Sequence, residues 1–432
     1  MSPDWQHIRL SSIATYSQGT QVPPDEQQLL MEDGFGRFVR IIDFTNESEP
    51  PRFIKNPSQK YYVDDVDIVM IRYGSQTAGK VVRGISGFIA NNMFKVNINS
   101  EIADSSFVYR FLSTEYIFNY LRGTQSSSTM PAITFGMMDS IELNLPPKST
   151  QKSIACFFDN LDDRIALLRE TNATLEAIAQ AMFKSWFVDF DPVHAKQQGR
   201  VPEGMDEATA ALFPDSFEES ALGMVPKGWR AGTLTDLADY QNGYAFKTSD
   251  WQDSGHPVVK IGNVKPGVID ISGCSYISPE VTKGLERFLL KRGDLLVGMT
   301  GYVGETGLVP DMETSAYLNQ RVGRISTKNG ILGLGFVYCL VRNSTYKTYA
   351  EERSHGSAQA NVSGADLMSY LTVVPSSDVL DAFNQIVHRL IDKILTNHSQ
   401  AQTLATLRDT LLPRLISGQL RLSDAAEALS GT

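Results

Sequence analysis

What this chain of 432 residues lacks above all is a catalytic signature. It holds no GxSxG, HExxH or CxxC. No Asp or Glu stands two residues before a lysine, so the (D/E)xK half of a common nuclease motif is also missing. The nearest approach to the (N/D)PPY motif of amino-methyltransferases is NLPPK at 144–148, which carries an intervening Leu and no aromatic residue. The six histidines are dispersed, and each reads as a surface or packing residue rather than a metal ligand. Cysteine is equally sparse: Cys156, Cys274 and Cys339 are scattered and odd in number, the usage of a reducing cytosol rather than of a disulfide framework. No signal-peptide pattern and no apolar run long enough to cross a bilayer occurs, so a cytoplasmic protein without a membrane partner is expected. These absences favour a binding protein with no catalytic residues and no metal or cofactor of its own.

Positive charge is also in short supply. Lys and Arg number 39 against 49 Asp and Glu, and a net charge of −10 speaks mildly against a protein that holds phosphates. The distribution of charge weakens that objection. Residues 1–150 carry 13 basic and 16 acidic side chains, residues 151–221 carry 6 and 13, residues 222–375 carry 15 and 14, and residues 376–432 carry 5 and 6. The acidic excess lies mainly in 151–221, which leaves two near-neutral regions each able to present a basic face.

In place of motifs the chain has repetition. FVYRFL at 107–112 recurs as FVYCLV at 336–341, an offset of 229. DWQHIRLSSIATYSQG at 4–19 returns as GWRAGTLTDLADYQNG at 228–243, sharing Trp, Leu, Ala, Tyr and Gly, and VDIVMIRYG at 66–74 returns as GDLLVGMTG at 293–301. Two copies of one unit in a single chain make a pseudo-dimer suited to a target that is itself two-fold in shape, and duplex DNA is the leading candidate. Within each copy, VDIVMIRY, GFIANNMFKV, GDLLVGM and VGRIS read as strands. SSFVYRFLSTEYIFNYLR and GFVYCLVRNSTYKTYAEER read as helices. A mixed α/β fold follows, with globular domains at 1–150 and 222–375.

Each copy ends in a long helix with apolar residues spaced four-three-four-three. The first set is Ile154, Phe158, Leu161, Ile165, Leu168, Asn172, Leu175, Ala179 and Met182, in a helix over 151–187 of roughly 55 Å. The second is Phe383, Val387, Leu390, Ile394, Asn397, Ala401, Leu404, Arg408 and Leu411, within a helix and tail over 376–432. Sustained over four heptads, the spacing predicts an antiparallel coiled-coil pair related by a pseudo-two-fold axis. An axis at repeat position 170 sets Ile165 against Leu404, Leu175 against Ile394, Phe158 against Leu411 and Met182 against Val387. Leu161 then faces Arg408 less comfortably, and Asn172 meets Asn397 near the centre. Between the first helix and the second domain, 188–221 reads as an irregular connector rich in acid, Pro and Gly.

Polar segments recur at matching places: RYGSQTAGK and MTGYVGETG, NNMFK and NQRVG, GTQSSSTMPAIT and SHGSAQANVS. GSQTAGK at 74–80 has the GxxxxGK outline of a P-loop. Val81 stands where Ser or Thr would hold Mg²⁺, so a Gly-rich turn between strands is the better reading. The candidate DNA-binding residues are Arg72, Tyr73, Gln76, Lys80, Asn91, Asn92 and Lys95 in the first copy. In the second they are Thr300, Tyr302, Gln320, Arg321, Ser357, Gln359 and Asn361. Of these, Arg72, Lys80, Lys95 and Arg321 suit phosphates, while Gln76, Asn92, Gln320, Gln359 and Asn361 suit base edges.

Two strings carry a family likeness. SIACFFDNLDDRIALLRETNATLEAIAQAMFKSWFVDFDPV at 153–193 and LATLRDTLLPRLISGQLRL at 404–422 resemble the central and C-terminal conserved regions of specificity (S) subunits of type I restriction-modification systems. GSAQANVS with the following DL at 366–367 resembles the segment closing a target-recognition domain there, whereas SSTMPAIT of the first copy lacks its Gln and Asn. The resemblance implies two target-recognition domains, each reading half of a bipartite asymmetric site on double-stranded DNA. From the repeat itself, domains held apart by a rigid helix pair are expected to meet DNA about one helical turn apart, about 34–36 Å. It implies helices that act as a ruler and dock two methyltransferase (M) subunits, which would supply S-adenosylmethionine and methylate adenine. A restriction (R) subunit would add ATP- and Mg²⁺-dependent translocation and cleavage. The chain itself would then be a non-catalytic subunit of a DNA adenine methyltransferase and site-specific deoxyribonuclease. The alternative is a stand-alone DNA-binding regulator, for which a more basic chain and no long helices are expected.

Overall fold

The repeated strings become repeated strands in the computed structural model, which describes residues 4–46, 48–55, 58–123, 132–356 and 360–424. Two compact units divide the chain, Met1–Asp163 with Leu404–Thr432 and Arg164–Thr403. The division passes through both long helices, so each unit holds one globular domain and a portion of each helix.

In the first unit an antiparallel sheet orders Ala14–Gln18, Met93–Ile98, Ile68–Ile71 and Val81–Val82. Ile68–Ile71 is buried at every position, as a strand covered on both faces must be. A second sheet orders Arg52–Lys55, Phe35–Val39, Gly87–Ile89 and Tyr62–Val63. The main core packs Met70, Phe94 and Phe107 with Phe158 and Leu161 of the first long helix and Leu411 of the second. Phe38, Ile54 and Phe88 form a smaller core beneath the second sheet.

The second unit repeats this topology. Ala238–Asn242, Val322–Thr327, Leu295–Gly298 and Thr306–Leu308 take the same order, extended by Gly267–Val268 at the edge. Register repeats with it: Ala14 faces Ile98 as Ala238 faces Thr327, and Ile68 faces Val96 as Leu295 faces Ile325. The glycine shared by both copies has a steric cause. A Cβ on Gly19 would lie 2.2 Å from the Ala90 carbonyl oxygen, and one on Gly243 would lie 2.1 Å from that of Asn319. The helical strings each break once, giving Ser105–Leu112 with Glu115–Gly123 and Leu334–Arg342 with Ser344–Glu352.

The long helices span Lys148–Phe187 and Ser377–Ile416, 40 residues each. Ile154, Phe158, Leu161, Leu404 and Leu411 belong to the main core of the first unit. Met182, Phe383, Val387 and Leu390 belong to that of the second. Ile165, Leu168 and Ile394 are buried and Leu175 is half-buried. Inside the second unit the two helix portions run antiparallel and the seam asparagines meet, Asn397 Nδ2 donating to Asn172 Oδ1 at 2.9 Å. Asn172 Nδ2 donates onward to the Ile394 carbonyl at 3.0 Å. The apolar surface is wider than a two-helix seam, because Val379, Ile391 and Leu395 lie off the heptad positions yet join the domain core.

The connector departs from the irregular segment expected. Asp191–Gln197 and Glu207–Ala211 are helical, and Phe217–Ser220 pairs with Gly223–Pro226. Val193 and Phe213 are buried in the aromatic core around Phe187, Trp229, Phe336 and Phe383. Composition registers the acid and Pro content of such a segment, but not the few apolar side chains that anchor it.

Candidate nucleic-acid interface

Three polar segments far apart in sequence converge at one end of the central sheet in each unit. In the first, the Arg72 N–H donates to the Asn92 carbonyl at 2.9 Å, and Ile133 N–H donates to the Arg72 carbonyl at 2.9 Å. In the second, Met299 N–H donates to Arg321 O at 3.2 Å, Val362 N–H to Met299 O at 3.0 Å, and Gly301 N–H to Ala360 O at 3.0 Å. Bridges at Tyr73–Ala132 and Thr300–Asn361 mark equivalent points. Residues from all three recurrent loop pairs therefore share one locale in each domain.

The scaffold is the same and the side chains differ. GSQTAGK forms a turn between the antiparallel strands Ile68–Ile71 and Val81–Val82, so no helix follows it to receive a phosphate. Gln76 and Lys80 are exposed on that turn, Tyr73 is half-buried, and the Arg122 guanidinium donates to the Ser75 carbonyl at 3.2 Å. Asn91 is exposed and donates to Gln21 Oε1 at 3.2 Å. Asn92 is half-buried, and its Oδ1 is buried without a hydrogen-bond partner. In the second unit Thr300 is buried and its hydroxyl donates to Asn361 Oδ1 at 2.7 Å. Tyr302, Gln320 and Arg321 are exposed. Ser357 and Gln359 lie outside the described residues.

One expectation for the basic residues changes, and a second residue gains an internal partner. Lys95 stands in the strand Met93–Ile98 and pairs with Asp67 at 2.5 Å, both side chains about three-quarters buried, so its ammonium is already neutralised within the domain. Arg72 is half-buried and its Nη1 donates to Gln18 Oε1 at 2.8 Å, which orients its guanidinium. Gln18 was not among the residues singled out from sequence. It sits inside the matched strings TYSQG and DYQNG, where the shared residues draw attention away from the unshared one.

A family model for the type I restriction modification DNA specificity domain matches residues 3–177 and 226–408, one copy on each repeat. The chain belongs to this family. Among similar proteins, the specificity subunit of the type I restriction enzyme HindI from Haemophilus influenzae is 27% identical over 81% of this chain and 85% of its own. The MjaVIII specificity subunit from Methanocaldococcus jannaschii is 22% identical over 98% and 94%. In fold, the S subunit of a type I restriction-modification system from M. genitalium superposes with a TM-score of 0.57, covering 96% of each chain at 16% identity. This specificity subunit is thus a DNA-recognition component, and each family match takes in one globular repeat and much of the long helix that follows it. Among the described residues no helix is long and apolar enough to cross a membrane. Among the same residues no group of three or more His, Cys, Asp or Glu could hold a metal ion.

Proposed function

We propose that this specificity subunit reads a bipartite, asymmetric site on double-stranded DNA, one half with each target-recognition domain. Its long helices set the spacer between the half-sites and dock two methyltransferase subunits. The observation that carries this reading is the convergence of the same three segments in both units with different side chains at equivalent positions: Arg72 against Met299, Tyr73 against Thr300, Asn92 against Arg321. One scaffold with two side-chain sets reads two different short sequences, which makes the site asymmetric.

Chemistry would come from the partners. Methyltransferase subunits would bring S-adenosylmethionine and take a flipped adenine into their own pocket, with this chain deciding which adenine is in reach. A restriction subunit would bring ATP and Mg²⁺. Sequencing the methylome of the host with and without this gene tests the reading. We expect one bipartite methylated motif to vanish on deletion, and an unchanged methylome would refute the proposal.

A further inference from the structure

Gln18 closes the strand Ala14–Gln18 and ties two of the three convergent segments together. Its Oε1 accepts from Arg72 Nη1 at 2.8 Å, and its Nε2 donates to the Asn91 carbonyl. Arg72 is held at three further points. Its main chain bonds to Asn92 and Ile133, each at 2.9 Å, and its guanidinium carbon lies 5.1 Å from the centre of the Tyr73 ring. Nε is buried without a partner, and Nη2 has no partner among the described residues. Structural arginines of this chain spend several Nη contacts inside the domain, as Arg110 does on Asp159 and Asp162 and Arg324 does on Asp294, Gln241 and two carbonyls. This one is steered through a single Nη1 contact that leaves hydrogens on both terminal nitrogens free to donate.

A planar fork held in one orientation by a second side chain has its donors placed before DNA arrives. It is well matched to two acceptors at fixed separation, and O6 and N7 of guanine are that pair in the major groove. Resting on the DNA-recognition reading above, we propose that Arg72 reads a guanine in the half-site bound by the first domain, and that Gln18 is the positioning residue that orients its fork. The device belongs to one unit only. The equivalents of Gln18 and Arg72 are Asn242 and Met299, and Asn242 Oδ1 accepts from the Tyr240 hydroxyl at 2.8 Å instead. The guanidinium of the second unit, Arg321, enters from the position of Asn92, so the two domains place arginine at different points of the same scaffold.

The test uses full-length chains co-produced with the methyltransferase subunits of the host in a strain without such a system, followed by sequencing of methylated sites. We expect Gln18→Ala and Arg72→Lys each to relax guanine preference by about tenfold or more at one shared position of one half-site. The other half-site should keep its preference, which also reports that the chain is folded. Gln18→Glu keeps an acceptor for Nη1 but loses the donor to the Asn91 carbonyl, and it should retain more of the guanine preference than Gln18→Ala. If Gln18→Ala supports no methylation at all, Arg72→Lys decides by the same criterion. Full preference retained at every position in Gln18→Ala and Arg72→Lys would overturn the proposal while leaving DNA recognition intact. So would a uniform loss across all sites with the salt slope of binding flattened by about one unit, the signature of a phosphate contact. A wild-type chain that directs no methylated motif would remove the DNA reading itself.

Discussion

At the scale of residues, the two repeats attach to their helices by ion pairs at different positions, Arg342 with Glu176 at 3.1 Å and Arg292 with Asp392 at 2.7 Å in the second unit. In the first unit Arg110 donates to both Asp159 and Asp162 of the long helix, with its own side chain only 6% exposed. Arg83 joins Asp159 at 2.7 Å, and Arg408 joins Asp162 at 2.7 Å. Arg408, awkward at an apolar seam position beside Leu161, is therefore accommodated by an ion pair to the adjacent carboxylate. At the equivalent places of the second unit stand Cys339, His388 and Ile391, and Cys339 and Ile391 lie in its apolar core. Arg110→Ala should cost about 2–3 kcal/mol in urea unfolding, because it leaves two partly buried carboxylates short of partners. The same cluster carries an acid sensitivity. Burial pushes the Asp159 carboxyl up, but hydrogen bonds from Arg110 and Arg83 together hold it below its ordinary value of 3.8. Its contribution is present above that value and is lost as pH falls below it, since the unfolded chain takes up the proton first. The pH-dependence of stability between about 4 and 2 should be shallower in Asp159→Asn.

At the scale of elements, the long helices show how one polar pair selects a register. A heptad seam can slide by seven residues and still bury apolar side chains, but sliding would strand both Asn172 and Asn397. Asn397 is only 1% exposed and its Oδ1 is buried without a partner, so the pair costs stability even in its native register. Asn172→Ala should cost about 1–3 kcal/mol by leaving the Asn397 amide unpaired. Replacing both asparagines by Leu should be less harmful than that single change, and a thermal or chemical double-mutant cycle reads the difference. Strict additivity of the two single changes would mean that the asparagines do not depend on each other.

At the scale of the whole molecule, duplication followed by divergence separates scaffold from readout. Gly19 and Gly243, Leu10 and Leu234, and Ala14 and Ala238 match between the copies, and all of them serve backbone approach or core. The residues at the convergent loop ends differ. The sequence carries no (N/D)PPY string of the amino-methyltransferases. The purified chain incubated with DNA and S-adenosylmethionine should therefore transfer no methyl groups, and should restore transfer when methyltransferase subunits are added. A filter assay with labelled methyl donor checks both halves of that expectation, and transfer by the chain alone would contradict it.

The repeat, the strands of the central sheets, both long helices and the meeting of Asn172 with Asn397 were legible in the sequence. Periodicity is a local property: a 3.5-residue spacing defines the buried face of a helix, and counting along two such faces aligns them. The loop segments that converge were legible as a set, because they recur. Which side chain does what within them was not. Gln18 and Arg72 are 54 residues apart, and Lys95 meets Asp67 across neighbouring strands. Partners of that kind are chosen by strand order and sheet register. Those are settled by burial over the whole domain rather than by any window of sequence. The anchoring of the connector and the ionic attachment of the first domain belong to the same class. Local chemistry determined which residues could act, and tertiary packing alone decided which were already satisfied and which were left with a hydrogen to give.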